Sequence, residues 1–476
     1  VTRSLRIGAY ALFCLSGATA LVYETVWARQ LILTFGASHE AVGIVLASFM
    51  AGLALGGFAI GRWAERSARP LRLYGAVELA LAAIAAATPA LHRLADGIYL
   101  RQALEVEGVP PALQVLRIAL AFAVLLPPTV LMGGTLPILI QLFVRRRLEM
   151  TRYLAPLYAV NTAGAVGGTV MAGFVLLPRL GMSRTLAIAV AVNAGVGLLA
   201  LLLDRRTDPI LPPTSTEREL EASAHRSRSA PALQAAYYGT LVSGMTALAL
   251  EVLWMRGITV VAGNTAYGFS VMLAAFLVGI AGGSWLLGSR YPDADPARLF
   301  GWLMVGIGAT AALASQLMPQ LPQLALTINR WLYTDPSGVR AGATLALSFA
   351  VMLVPCALMG MAFPAAGRAA AELRGRFASS AGNLVALNTT GSIVGSLAAG
   401  FWLIPHLGLQ RSMLLCASVN LCWGVLVLAV RRAEGAAGRW RVLLPAAVLG
   451  GLALGLPSLA PPWDLHPLAV FRNNSV

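Results

Sequence analysis

Apolar positions along this chain run in blocks too long for the core of a soluble domain. Between charged or turn-rich breaks, the pattern predicts spans over roughly 7–34, 40–63, 71–92, 113–144, 155–177 and 183–203. It then predicts 236–262, 266–289, 299–322, 341–367, 382–404 and 411–430, and a last one at about 441–457. Many of these hold more than about 18 residues with almost no charge, the length an α-helix needs to cross a hydrocarbon core. The fold class expected is an all-α polytopic membrane protein of about 13 transmembrane helices.

The blocks repeat. Ser16-Gly17 returns as Ser243-Gly244, and Glu24, Trp27 and Arg29 return as Glu251, Trp254 and Arg256. Met132, Gly133 and Pro137 return as Met359, Gly360 and Pro364, and Asn161-Thr162 as Asn388-Thr389. Gly173, Pro178, Gly181 and Arg184 return as Gly400, Pro405, Gly408 and Arg411. Every pair is 227 positions apart (251 minus 24, 388 minus 161). The expected organisation is a first six-helix repeat over 1–203, a cytoplasmic linker over 204–235, a second repeat over 236–430, and a further helix with a short tail over 431–476. Six spans per repeat give both the same orientation, so a pseudo-two-fold axis along the membrane normal relates them, as in the halves of major-facilitator transporters. Such an axis places matched residues on facing sides of a central cleft.

Small residues at helical spacing mark close packing. Gly52, Gly56, Gly57 and Gly61 form one stripe, echoed by Gly279, Gly283 and Gly288, and Gly164, Gly168 and Ala172 are echoed by Gly391, Gly395 and Ala399. In lipid, small residues let helix backbones approach where no hydrophobic drive exists. Pro127, Pro128 and Pro137, with Pro355 and Pro364, are expected to kink the fourth helix of each repeat.

Composition agrees with a membrane setting. Hydrophobic residues make up 58% and charged residues 12% of the chain, against about 25% charged in soluble domains. The net charge of +15 does not signal nucleic acid, because the basic residues, all arginine, sit at the ends of apolar blocks. One set of loops carries 24 of the 35 arginines. The positive-inside rule then puts the N-terminus and the linker in the cytoplasm, in the cytoplasmic (inner) membrane of a bacterium, with the lipid bilayer as the first partner. The linker is polar and flexible in composition, with a short surface helix expected around Glu217–Ala224. Ala18-Thr19-Ala20 mimics a signal-peptidase site, but the same pattern recurs at Ser243–Ala247, so the first block reads as a retained helix.

Cys14, Cys356, Cys416 and Cys422 lie in apolar blocks without metal-ligand spacing, and the five histidines lie in loops or near helix ends. No metal and no cofactor is expected. No Walker motif, zinc-protease motif or nucleophile elbow occurs, so no catalytic residue is assigned.

The chemistry-bearing candidates are few. Glu24 and Glu251 each lie inside an apolar span, where a carboxylate is costly unless it is paired, neutralised or facing water. As a matched pair they suit a cation, a polyamine or a proton; as structural groups they would pair with Arg29 and Arg256. Asn161 and Asn388 are a second matched polar position, suited to a site or to bridging helices. Glu78 has no matched acid, since 227 positions on stands Val305, and an asymmetric ligand needs such a break. Trp27 and Trp254 suit stacking on a cation, interfacial anchoring or packing.

The stretches Ser16–Trp27, Phe49–Gly56, Leu131–Pro137 and Leu157–Gly164, with Pro461-Pro462-Trp463-Asp464, resemble the membrane region of bacterial fused spermidine synthase-like (polyamine aminopropyltransferase-like) proteins over about 1–465. That resemblance implies polyamines as a substrate class. The Gly-rich and acidic motifs of the family's synthase domain are absent from these residues, so no catalytic residue carries over. Three functions fit: a transporter-like protein for a small cationic metabolite, a non-catalytic accessory subunit of a larger membrane complex, and a membrane anchor for a separate synthase-like enzyme.

Overall fold

The computed structural model describes residues 3–35, 39–104, 111–143, 147–205, 207, 209, 231–262, 266–291, 293–320, 336–374 and 377–434. The helices among them are α1 (Arg3–Phe35), α2 (His39–Ala64), α3 (Pro70–Ala103), α4 (Pro111–Phe143), α5 (Arg147–Val170) and α6 (Leu177–Asp204). They continue as α7 (Pro231–Ala262), α8 (Ala266–Arg290), α9 (Pro296–Leu317), α10 (Pro336–Arg374), α11 (Phe377–Ala398) and α12 (Ile404–Ala433). The expected span at 441–457, the tail and the linker helix at Glu217–Ala224 lie outside the described residues.

Among the described residues, ten runs are long and apolar enough to cross a membrane. Two of them, Tyr153–Asp204 and Gly382–Ala433, are 52 residues long. At about 1.5 Å per residue each would measure roughly 78 Å, more than twice a hydrocarbon core of about 30 Å. Each is interrupted at a glycine in the left-handed region, Gly181 (φ 73°) and Gly408 (φ 71°), a conformation open to glycine at little steric cost. A π-helical turn precedes each break, Met171–Leu176 after α5 and Ala399–Leu403 after α11. The breaks expected between 177 and 183 and between 404 and 411 fall at these glycines.

Several boundaries differ from expectation: α5 begins at Arg147 rather than 155, α10 ends at Arg374 rather than 367, and the third helix differs most. The third helix continues to Ala103, well past the predicted end at 92. Its apolar block stops at Arg93, but Thr88, His92, Ala95 and Tyr99 are buried at helical spacing, so an amphipathic stripe carries the helix on. Asp96 accepts from Thr34 of α1 at 2.5 Å, and Arg117 of α4 donates to the Tyr99 hydroxyl at 2.8 Å. The prolines of α4 and α10 lie inside helices of 33 and 39 residues.

Contacts within α1–α6 recur within α7–α12. α1 packs on α5 and α6, α2 on α4, and α3 on α4 and α6; α7 packs on α11 and α12, α8 on α10, and α9 on α10 and α12. A Cβ on Gly56 would strike the Val130 carbonyl, and one on Gly283 the Ala357 carbonyl. Backbone thus sits on backbone at both positions, as small-residue stripes in lipid allow. The π turns fit across the two sets: Gly173 lies against Ser270 of α8, and Gly400 against Gly43 of α2.

In the third helix the register shifts by one. Gly75 packs on Gly197, and Gly301 on Gly424, so matched positions are 226 apart there (301 minus 75). The counterpart of Glu78 is therefore Met304, not Val305. The shift also aligns two ion pairs of opposite polarity. Asp204 at the end of α6 pairs with Arg69 (3.1 Å) and Arg72 (3.2 Å) at the start of α3. At the corresponding place Arg431 of α12 pairs with Asp295 (2.6 Å) before α9, and also with Glu434 (3.1 Å). Asp295 also caps α9 by accepting from the Arg298 amide at 2.9 Å.

Candidate functional site

The two sets of helices meet along two seams, α2 against α11 and α5 against α8. In the first, Gly57 lies against Val385 and Gly382. In the second, Ser284 donates to the Ala155 carbonyl at 3.1 Å. These are matched places, since Ser284 corresponds to Gly57 and Gly382 to Ala155. Near the arginine-bearing end a further layer spans the middle: Tyr158 of α5 stacks on Phe363 of α10 at 4.9 Å, and Gly367 of α10 packs on Leu154 of α5.

Glu24 of α1 and Glu251 of α7 occupy matched positions, one in each set of helices. They are close enough for the charge of Glu24 to act on Glu251, and Glu251 in turn acts on the Cys356 thiol of α10. Both side chains are buried, with 7% and 5% of their surface exposed. Among the described residues neither carboxyl has a hydrogen-bond or ion-pair partner. Arg29 and Arg256 are exposed, and no ion pair joins them to the two acids among the described residues. A carboxyl buried at this depth without a partner is costly as an anion, and a proton or a cation would neutralise it.

The other candidates lie elsewhere. Glu78 of α3 is fully buried inside the α1–α6 set, where Ser16 donates to its Oε1 at 2.6 Å and its Oε2 has no hydrogen-bond partner among the described residues. Asn193 of α6 donates to the Glu78 carbonyl at 2.8 Å and accepts from Thr19 at 2.8 Å. Trp27 is fully buried, donates to Thr88 at 3.0 Å and stacks on Tyr23 at 5.2 Å. Trp254 is fully buried in the other set, and its Nε1 has no partner among the described residues. Asn161 and Asn388 sit where α5 meets α1 and α11 meets α7: Gly17 and Gly244 press on their carbonyls, and Asn388 donates to the Thr240 carbonyl at 3.2 Å. The structure thus places Glu24 and Glu251 within electrostatic reach of each other and distributes Glu78, the asparagines and the tryptophans among the helix contacts of each set.

Sequence reasoning missed the Thr19–Asn193 bond and its counterpart, Thr246 to Asn420 at 3.1 Å. Both pairs obey the 227-residue spacing, so the repeat itself held the signal. It also missed the Tyr158–Phe363 layer, which joins helices from different sets and has no local signature.

No protein-family profile matches the chain, and no curated protein does. Solved structures do match. A bacterial homologue of the iron transporter ferroportin in an outward-facing state aligns with a TM-score of 0.54 at 15% identity, over 90% of this chain and 98% of its own. The nucleoside transporter NupG aligns with a TM-score of 0.55 at 16% identity, over 90% and 99%. The major facilitator superfamily proton:xylose symporter XylE aligns with a TM-score of 0.51 at 12% identity, over 90% and 95%. At these identities the likeness shows the fold alone: a multi-pass, all-helical membrane architecture like that of these transporters.

Proposed function

We propose that this chain is a membrane transporter for a small cationic solute, with Glu24 and Glu251 forming the acidic centre that receives it. The observation that carries the reading is the pair itself. Two carboxyls at matched positions, one from each set of helices, lie within electrostatic reach of each other, and no described group compensates them. In this reading the sets α1–α6 and α7–α12 are six-helix repeats about a pseudo-two-fold axis, and rocking of one against the other exposes the pair to alternate sides. The Tyr158–Phe363 layer closes the arginine-bearing end, which the positive-inside rule assigns to the cytoplasm of a bacterial inner membrane. The cleft then opens to the outside.

A diamine or polyamine matches two carboxylates better than a single charge does, and the resemblance to the membrane region of spermidine synthase-like proteins makes spermidine the first solute to test. The experiment is uptake of labelled spermidine, putrescine and a panel of monovalent organic cations into proteoliposomes holding the full chain. Saturable uptake of a cation is expected, with loss in Glu24→Gln and in Glu251→Gln while both variants elute and melt as the parent does. Unchanged uptake in the two variants would remove the acidic pair from the mechanism.

A further inference from the structure

A groove of about 430 Å³, within the roughly 300–1,000 Å³ typical of ligand sites, lies on the outside of the α2–α11 seam. Leu55 and Phe58 of α2, Tyr238 of α7 and Asn383, Ala386 and Thr390 of α11 line it. Neither Glu24 nor Glu251 lines it. α11 turns Gly382 and Val385 toward α2, and Asn388 and Ser392 toward α7. Helical geometry puts Asn383, Ala386 and Thr390 on the opposite side. The wall is open: Leu55 is 50%, Phe58 40% and Tyr238 51% exposed. In a bilayer such a wall is met by acyl chains.

One turn beyond Phe58, at the arginine-bearing end of α2, stands Arg62. Its guanidinium lies over the Phe58 ring at 3.6 Å. Arg62 is exposed and has no acidic partner among the described residues. The groove therefore has the polarity of a phospholipid: apolar along the helices, with Asn383 and Thr390 as polar points, and a fixed cation where the headgroups begin. A guanidinium held over a ring presents a planar donor fork suited to phosphate oxygens.

We infer that this groove binds an anionic phospholipid, with its phosphate on Arg62 and an acyl chain between α2, α7 and α11. The site also lies across both sets of helices, so its occupant touches the seam along which they meet.

The test is native mass spectrometry of the full chain, released from nanodiscs of equimolar phosphatidylglycerol and phosphatidylcholine. The parent is expected to retain phosphatidylglycerol preferentially. Arg62→Gln should lower that preference about fivefold, the effect of one basic residue near an anionic surface, and Arg66→Gln in the following turn should not. Ala386→Trp, which fills the groove, should lower the number of lipids of either kind retained. An unchanged preference in Arg62→Gln, or an equal fall in Arg66→Gln, overturns the proposal. Where Ala386→Trp does not fold, the comparison of the two arginine variants decides alone.

Discussion

The α1–α6 and α7–α12 sets share a frame and differ in what they bury. Both join their first and sixth helices by a Thr–Asn bond, Thr19 to Asn193 and Thr246 to Asn420. Both press backbone on backbone at matched glycines. Around that frame the polar content diverges. α3 buries Glu78 against Ser16, whereas the counterpart in α9 is the fully buried Met304. Trp27 has Thr88 as acceptor, whereas the position matching Thr88 is Ala314, and Trp254 Nε1 has no partner among the described residues. The ion pair between the third and sixth helices has opposite polarity in the two sets. Helix-to-helix geometry is thus held while single polar groups drift, so an acid present at matched positions in both sets, and unpaired in both among the described residues, stands apart from one such as Glu78.

The largest effect should come from breaking the frame. Gly168→Leu and Gly395→Leu each drive a side chain into a neighbouring backbone, Ala18 and Met245. Both should cost about 3 kcal/mol or more, the upper range for overpacking, and folded yield in detergent should collapse equally in the two. The reversed ion pair offers a finer test. Asp204→Arg alone places three guanidiniums together and should cost about 1.5–3 kcal/mol, the worth of hydrogen bonds to a charged group. Combining it with Arg69→Asp recreates the arrangement at Asp295 and Arg431 and should restore most of the melting temperature.

Copying one set into the other gives the smaller effects. Ser16→Ala leaves the buried Glu78 without its donor and should cost about 1–3 kcal/mol, whereas Ser16→Ala with Glu78→Met removes both partners and should be nearly neutral. Ala314→Thr, which supplies the acceptor that Trp27 finds in Thr88, should raise stability by about 0.5–1 kcal/mol. Thermal melts in one detergent check all of these. A Glu78→Met double variant that fails to fold would mean that the α1–α6 set depends on its private acid.

Much of this frame was legible in the chain. Glycines and prolines at a constant spacing report contacts that every copy of the fold must make, so Gly181 and Gly408, and the stripes through Gly56 and Gly283, could be placed before any coordinates. The amphipathic end of α3 was hidden because hydropathy stops at Arg93 while helical periodicity does not. The partners of Glu78 were hidden because Ser16 lies on another helix and the register shift in α3 conceals its true counterpart. Glu24 and Glu251 were visible as buried acids. The repeat axis predicts them on facing sides of a cleft; how near they come depends on the α2–α11 and α5–α8 seams, which leave no mark in either repeat alone.

The central claim is that the two acids act as one cation site. Its most direct test is a double-mutant cycle on equilibrium binding of whichever cation the protein takes up, with Glu24→Gln, Glu251→Gln and both together. One shared site predicts that each single variant loses most of the affinity and that the double variant loses little more, a coupling of at least about 1 kcal/mol between neighbouring groups. Losses that simply add, or affinity that survives either change, would contradict it.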